Sequence, residues 1–161
     1  MPAALVNFAE QKGINPWEED HFGWTLLHHA AMESVHQPGL LTVVQQLLPY
    51  MDKMQINAHT RGGTPQGWAA LSLLCNARDR WNQREHIIQA VLDHMAAVNV
   101  RTPSLATPLM CACSCGFWSA AERLLAMPNV DVHAKNMRNK NALDVTPEDQ
   151  KKAFASVELF L

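Results

Sequence analysis

Along residues 3–12 the apolar side chains Leu5, Phe8 and Ala9 return at helical spacing, and Gly13 follows as a stop. The same period governs residues 40–50, where Leu41, Val44, Leu47 and Leu48 share a face, and it returns at Ile87, Ile88, Val91 and Leu92. Helical segments of a second kind start at Leu26, at Ala69 and after Thr107. They are small or apolar almost all round, with Ala30, Ala31, Ala112 and Cys113 among them. Each of these is followed by a second helical segment, so the helices are predicted to come in pairs. Breakers such as Pro38-Gly39, Gly116 and Arg61-Gly62-Gly63-Thr64-Pro65 punctuate the order. Extended arms open at Ile14-Asn15-Pro16, Ile56-Asn57-Ala58, Val98-Asn99 and Val132-His133-Ala134. A last helix is predicted from Thr146 as cap, with Pro147 at its first position, Glu148 and Asp149 in its first turn, and Phe154, Val157 and Leu161 on its apolar face.

These segments are copies of one unit. Thr25, Ala69, Thr107 and Asn141 stand in equivalent places before the first helix of a pair, and Leu47-Leu48, Val91-Leu92 and Leu124-Leu125 close the second. The first two units are longer between their helices, and the surplus falls on residues 34–38 and 78–82, polar or breaker-rich stretches that tolerate insertion. Gly23, Gly67 and Asn139 hold one arm position, suited to a left-handed backbone. Leu105 stands in that position in the third unit, which leaves its turn open.

On these residues the chain resembles the ankyrin-repeat family, whose unit is about 33 residues with a Thr-Pro-Leu-His-x-Ala signature. Thr107-Pro108-Leu109, Ala112 and Gly116 carry the likeness most strongly, then Thr25, Leu27, His28, Ala30 and Ala31; in the second unit Ala69-Ala70 and Ser72 depart from it. The resemblance implies an all-α, ankyrin-type helical solenoid of antiparallel helix pairs, stacked as inner and outer rows, with extended arm or hairpin loops. Its divisions would be an N-terminal half repeat and arm at 1–22, repeats at 23–66, 67–104 and 105–138, and a C-terminal cap at 139–161. Stacking of such units makes one continuous core, because no pair buries its apolar face alone.

Composition narrows the function. Hydrophobic residues make up 48% and charged ones 17%, a globular balance, and the net charge of −2 provides no field for nucleic acid or an anionic membrane. No apolar run approaches a membrane span, and no basic residue precedes the short run at residues 3–6, so neither insertion nor secretion is expected. Cys111, Cys113 and Cys115 crowd one helix, where 111 and 115 share a face and 113 points away. No second pair completes a tetrahedral zinc set. Neighbouring inner helices lie roughly 8–10 Å apart, too far for Cys75 to bridge to Cys113 without strain. These thiols read as small packing residues in a reducing, cytoplasmic or nuclear setting. The histidines are scattered, and His28 and His29 diverge on a helix; His28 reads as a residue linking cap and arm. Arg61-Gly62-Gly63-Thr64 lacks the Lys and the strand-to-helix context of a phosphate loop, and no Gly-x-Ser-x-Gly elbow occurs. No catalytic residue, cofactor or metal is expected.

Trp24 and Trp68 precede inner helices at equivalent positions, followed in later units by Ala106 and Lys140. By the resemblance, that side is a concave groove of arm tips and inner-helix faces on which partners bind. Candidate contacts run from His21, Phe22, Met32 and Glu33, through Gln66, Asn76 and Ala77, to Ser104, Ser114, Cys115, Met137 and Arg138, a mix of aromatic, Met and Arg side chains typical of interface anchors. The other reading folds each Trp onto its own arm as a stabilising residue. The expected function is a non-catalytic adaptor, scaffold or assembly factor for a protein partner, acting as a monomer or within a hetero-complex. The alternatives are a permanent structural subunit, to which Trp81 and Phe160-Leu161 would contribute, and, more remotely, a Cys/His metal protein.

Overall fold

Two rows of helices stack along the molecule in the computed structural model, which describes residues 3–33, 39–76 and 83–152. The connectors at 34–38 and 78–82, Ala77, and the terminal Phe154, Val157, Phe160 and Leu161 lie outside the described residues. In chain order the helices are α1 (Ala3–Lys12), α2 (Leu26–Glu33), α3 (Leu40–Leu47), α4 (Lys53–Ile56), α5 (Ala70–Cys75), α6 (Gln83–Asp93), α7 (Pro108–Cys115), α8 (Trp118–Leu125) and α9 (Ala142–Val145). An inner row packs α2 on α5, α5 on α7 and α7 on α9, while an outer row packs α1 on α3, α3 on α6 and α6 on α8. No strand occurs among the described residues; one antiparallel bridge pairs His59 with Ala69.

Side-chain size explains the layering. The inner row meets through Ala30, Ala31, Ala70, Cys75, Ala112 and Cys113, all without solvent exposure, and only small side chains let helices approach so closely. The outer row contributes Val44, Leu47, Ile88, Val91 and Leu124 to the same core. Helix ends follow local chemistry. Thr107 accepts the Met110 N–H, Pro108 opens α7, and Gly116 ends it in the left-handed conformation with φ 69°. Pro49 has no N–H to continue α3, which tightens into a 3-10 turn at Leu48–Tyr50.

Two expectations are corrected here, and the open turn of the third arm is answered. The segment before Ile56-Asn57-Ala58 is α4, nucleated by a capping box in which Asp52 and Gln55 satisfy each other's backbone N–H. Thr146 does not cap a last helix: its hydroxyl donates to the Ala142 carbonyl behind it at 3.0 Å, so Pro147 takes the cap position and the chain continues as the 3-10 turn Glu148–Gln150. The third arm does turn left-handed, with Leu105 at φ 59°. Replacing Leu105 by Gly is expected to raise stability by about 0.5 kcal/mol, since about 1–2 kcal/mol of left-handed strain outweighs glycine's extra chain entropy. Thermal unfolding of the variant checks the sign.

Two polar groups sit deep in this core. The guanidinium of Arg84, from α6, reaches the C-terminal carbonyls of two inner helices, Ala31 at 3.3 Å and Leu73 and Leu74 at 3.4 and 3.2 Å. Those carbonyls belong to the last turns of α2 and α5, where helical N–H donors run out; the Leu73 carbonyl also accepts the Asn76 N–H at 3.3 Å. Ser72, by contrast, is fully buried with a hydroxyl that finds no hydrogen-bond partner. Ser72→Ala is therefore expected to be neutral or stabilising by up to about 1 kcal/mol, because it removes a desolvated group that gains nothing in return. Urea unfolding is the measurement, and a loss of stability would show an unseen partner for the hydroxyl.

Candidate functional site

Between successive helix pairs the chain forms four fingers that share one hydrogen-bonded turn. In the first, Asp20 N–H donates to the Trp24 carbonyl and the Asp20 carboxylate accepts from the Phe22 and Trp24 N–H at 2.8 and 2.9 Å. In the fourth, Asn136 does the same with Lys140 and Arg138. Thr60 and Thr102 close the second and third fingers: their N–H groups donate to Trp68 and Ala106, whose own N–H groups donate back to the hydroxyls at 3.1 Å. The left-handed residue of each turn is Gly23, Gly67, Leu105 or Asn139. The second finger is longer, and its extra residues fold back through Thr60 Oγ1 to the Pro65 carbonyl and Gln66 to the Arg61 carbonyl.

The fingers are tied to one another. Arg61 and Gly62 N–H donate to the Phe22 carbonyl at 2.9 and 2.7 Å, and the Arg61–Glu19 ion pair (3.1 Å) lies alongside. His59 Nε2 donates to the Arg101 carbonyl at 3.2 Å. Gly67 leaves room for Pro103, whose ring would lie 2.6 Å from any Cβ placed there. Met137 N–H donates to the Ser104 carbonyl, and Arg101 binds the Leu105 and Lys135 carbonyls at 2.7 and 3.0 Å. At the finger bases, Asn57 accepts from Ala97 N–H (2.6 Å) and Asn99 from Asp131 N–H (2.8 Å), so one side chain staples each arm to the next. This continuous ladder holds the tips as a row.

Trp24 is 8% exposed, and its indole N–H donates to the Gly62 carbonyl at 2.9 Å, while Gly63 and Phe22 lie close by. It is therefore not an exposed anchor and not folded on its own arm: it joins the first finger to the second. Trp68 is half-buried and packs against the core. Glu33 is also committed, to an ion pair with Lys12 of α1. The apolar side chains left at the tips are Phe22 (44% exposed), Leu105 (47%) and Met137 (71%), with His21, Gln66, Ser104 and Arg138 exposed beside them. On the inner helices, Met32 is exposed at the end of α2, and Cys115 Sγ contacts Asn76 Oδ1 at 3.5 Å, which places these two candidates together. Ser114 turns its hydroxyl back to the Cys111 carbonyl.

The electrostatics of the row are set by burial. The His28 ring is fully buried; Nδ1 accepts from the Thr25 N–H at 3.1 Å, so Nε2 carries the proton and donates to the Ala58 carbonyl at 3.0 Å. Burial lowers its pKa from 6.5 to about 4, outweighing the Ala58 carbonyl, which favours the cation. For Asp20 burial acts upward, but the Trp24 and Phe22 N–H groups and the neighbouring His29 (3.1 Å) together bring its pKa below the usual value. Burial pushes the Cys111 and Cys113 thiols up to about 12 and raises Cys75 as well, leaving them protonated and inert at neutral pH. Among the described residues no cluster of three or more His, Cys, Asp or Glu side chains is placed to hold a metal.

Sequence reasoning missed the residues that organise the fingers. Asp20, Thr102 and Asn136 each stand four places before Trp24, Ala106 and Lys140, and short oxygen-bearing side chains at such a spacing are a turn signal that was available. Arg84 left no such signal, because its partners come from two other helices.

Stacked antiparallel helix pairs joined by hydrogen-bonded fingers define a helical-repeat solenoid, a scaffold built to present a row of tips. The ankyrin-repeat family model matches residues 105–137, the third unit. The fold of the chain is an ankyrin-type helical solenoid. No curated protein matches the sequence. Repeats of this family are in general protein–protein interaction modules and typically non-catalytic. No helix among the described residues is long and apolar enough to cross a membrane.

Proposed function

We propose that the chain is a non-catalytic adaptor, scaffold or assembly factor that binds a protein partner along its finger tips and the adjoining ends of its inner helices. The observation that carries this reading is the tied row of fingers with Phe22, Leu105 and Met137 exposed on it. Such a row is preorganised, so little conformational freedom remains to be lost on binding. The division into repeats at 23–66, 67–104 and 105–138, flanked by partial caps, remains part of this proposal. So does a cytoplasmic or nuclear setting, which four free thiols favour. Photo-crosslinking residues placed at Phe22, Leu105 and Met137 are expected to capture one common protein, while the same group at Glu122 on α8 does not. Equal capture from all positions, or none, refutes it.

A second reading, a permanent structural subunit, has one observation in its favour. On the turns that follow the outer helices, Trp17 meets Tyr50 edge-on at 5.3 Å, and Met54 and Met95 are exposed nearby. Sedimentation separates the readings: a soluble monomer favours the adaptor, and aggregation of the isolated chain favours the subunit.

A further inference from the structure

We propose that the third and fourth fingers together dock an acidic protein segment that carries apolar side chains. This rests on the reading of the fingers as the binding row and adds the chemistry of the partner. The chain as a whole has a net charge of −2, yet the fourth finger displays Lys135, Arg138 and Lys140, all exposed and none ion-paired among the described residues. The acids that flank this finger in sequence are occupied with backbone. Asp131 accepts the His133 N–H at 3.1 Å, and Asp144 completes the capping box with Asn141. Arg101 supplies a fourth cation at the base of the third finger. The first finger carries Glu18, Glu19 and Asp20, with Glu19 paired to Arg61 of the second finger and Asp20 held by His29 and backbone N–H groups; among the described residues no comparable cluster of cations lies at that end.

Apolar anchors lie among these cations. Met137 is 71% exposed, and its N–H donates to Ser104, the neighbour of exposed Leu105, so the two tips adjoin. Leu105 holds a left-handed backbone, where glycine would be unstrained, and still presents its side chain outward. Retained strain of that kind marks a residue kept for its side chain. Cations at the edge steer an acidic segment and reject basic ones, while the apolar pair contributes the affinity. A nucleic acid suits the site less well: these two tips offer no aromatic face for base stacking.

The test is selection from a random-peptide phage library on the full-length chain. Acidic peptides bearing apolar residues are expected to be enriched. Their affinity should fall at least about tenfold with Lys135→Glu, Arg138→Glu and Lys140→Glu combined, and also with Leu105→Ser and Met137→Ser combined, while Glu18→Lys leaves it unchanged. Circular dichroism confirms that each variant is folded. Enrichment of neutral or basic peptides, or acidic ones indifferent to the charge reversal, overturns this inference and leaves the finger reading standing. No enriched peptide at all overturns both. A polyuridine oligonucleotide and phosphatidylserine vesicles are tested alongside; binding to either that the reversal abolishes, without acidic peptides, assigns the patch to a polyanion and also overturns it.

Discussion

Arg84→Met is expected to lower the unfolding free energy by about 3 kcal/mol. The variant keeps most of the apolar stem and removes only the guanidinium, so it isolates the polar contribution. The carbonyls of Ala31, Leu73 and Leu74, at the C-terminal ends of α2 and α5, would then lose their charged donor, and among the described residues only Leu73 of the Leu73 and Leu74 pair keeps a backbone N–H, that of Asn76. A hydrogen bond from a charged donor contributes about 1.5–3 kcal/mol, and a buried acceptor left unmatched adds its own desolvation penalty. The positive charge also faces the negative ends of two helix dipoles, an interaction worth up to about 2 kcal/mol when partly buried. These contributions overlap, which is why their sum is not taken. Arg84→Lys is expected to recover only part of the loss, since one ammonium cannot present a planar fork to carbonyls from two helices. Urea unfolding of both variants decides it; a change below about 1 kcal/mol in Arg84→Met would show that water or neighbouring donors replace the guanidinium.

The second large effect is a pH dependence. His28 titrates near 6.5 when unfolded and near 4 when folded, because its ring is buried and neutral. Its folded pKa is depressed, so between these values the unfolded chain binds more protons and stability rises with pH. The contribution is fully present above pH 6.5 and is lost as pH falls toward 4. Between pH 7 and pH 5 the loss is about 2 kcal/mol, and about 3 kcal/mol is gone once the pH is below both values. Asp20 does not blur that window, since its carboxyl titrates below its ordinary value of 3.8. Urea midpoints at pH 7 and pH 5, compared between the native chain and His28→Gln, isolate the effect. The native chain is expected to lose more stability than the variant; parallel losses would refute a buried neutral imidazole.

Most of the helical framework was legible because it rests on near-neighbour rules. Leu5, Phe8 and Ala9 before Gly13, and Thr107-Pro108 before a run closed by Gly116, each encode a helix with its ends. The alternation of small inner and amphipathic outer segments also carried the all-α solenoid. Where reading failed, two local signals competed. Thr146 satisfies a cap pattern on paper, yet its hydroxyl has a carbonyl one turn behind it and bonds there instead. Pro49 truncated α3, and Asp52 with Gln55 then made a turn of helix that takes in Ile56, read as the first residue of an arm.

The candidate site was less legible. Tip positions could be counted off from Thr25, Ala69, Thr107 and Asn141, and Phe22, Ser104, Met137 and Arg138 lie exposed there. Trp24 was placed correctly along the chain but not in its environment, because the indole is buried by Gly62 and Gly63 of the following finger. Exposure at one finger depends on the length and fold of the next, and no periodicity records that.

The sequence by itself determined most of the helices and the ankyrin character of the third unit, since each depends on side-chain size and capping within a few residues. Only the tertiary structure decided which aromatic side chains remain outside, which carbonyls Arg84 satisfies, and how the fingers tie into a row. Those outcomes depend on contacts between residues far apart along the chain, 38 positions from Trp24 to Gly62 and 53 from Ala31 to Arg84.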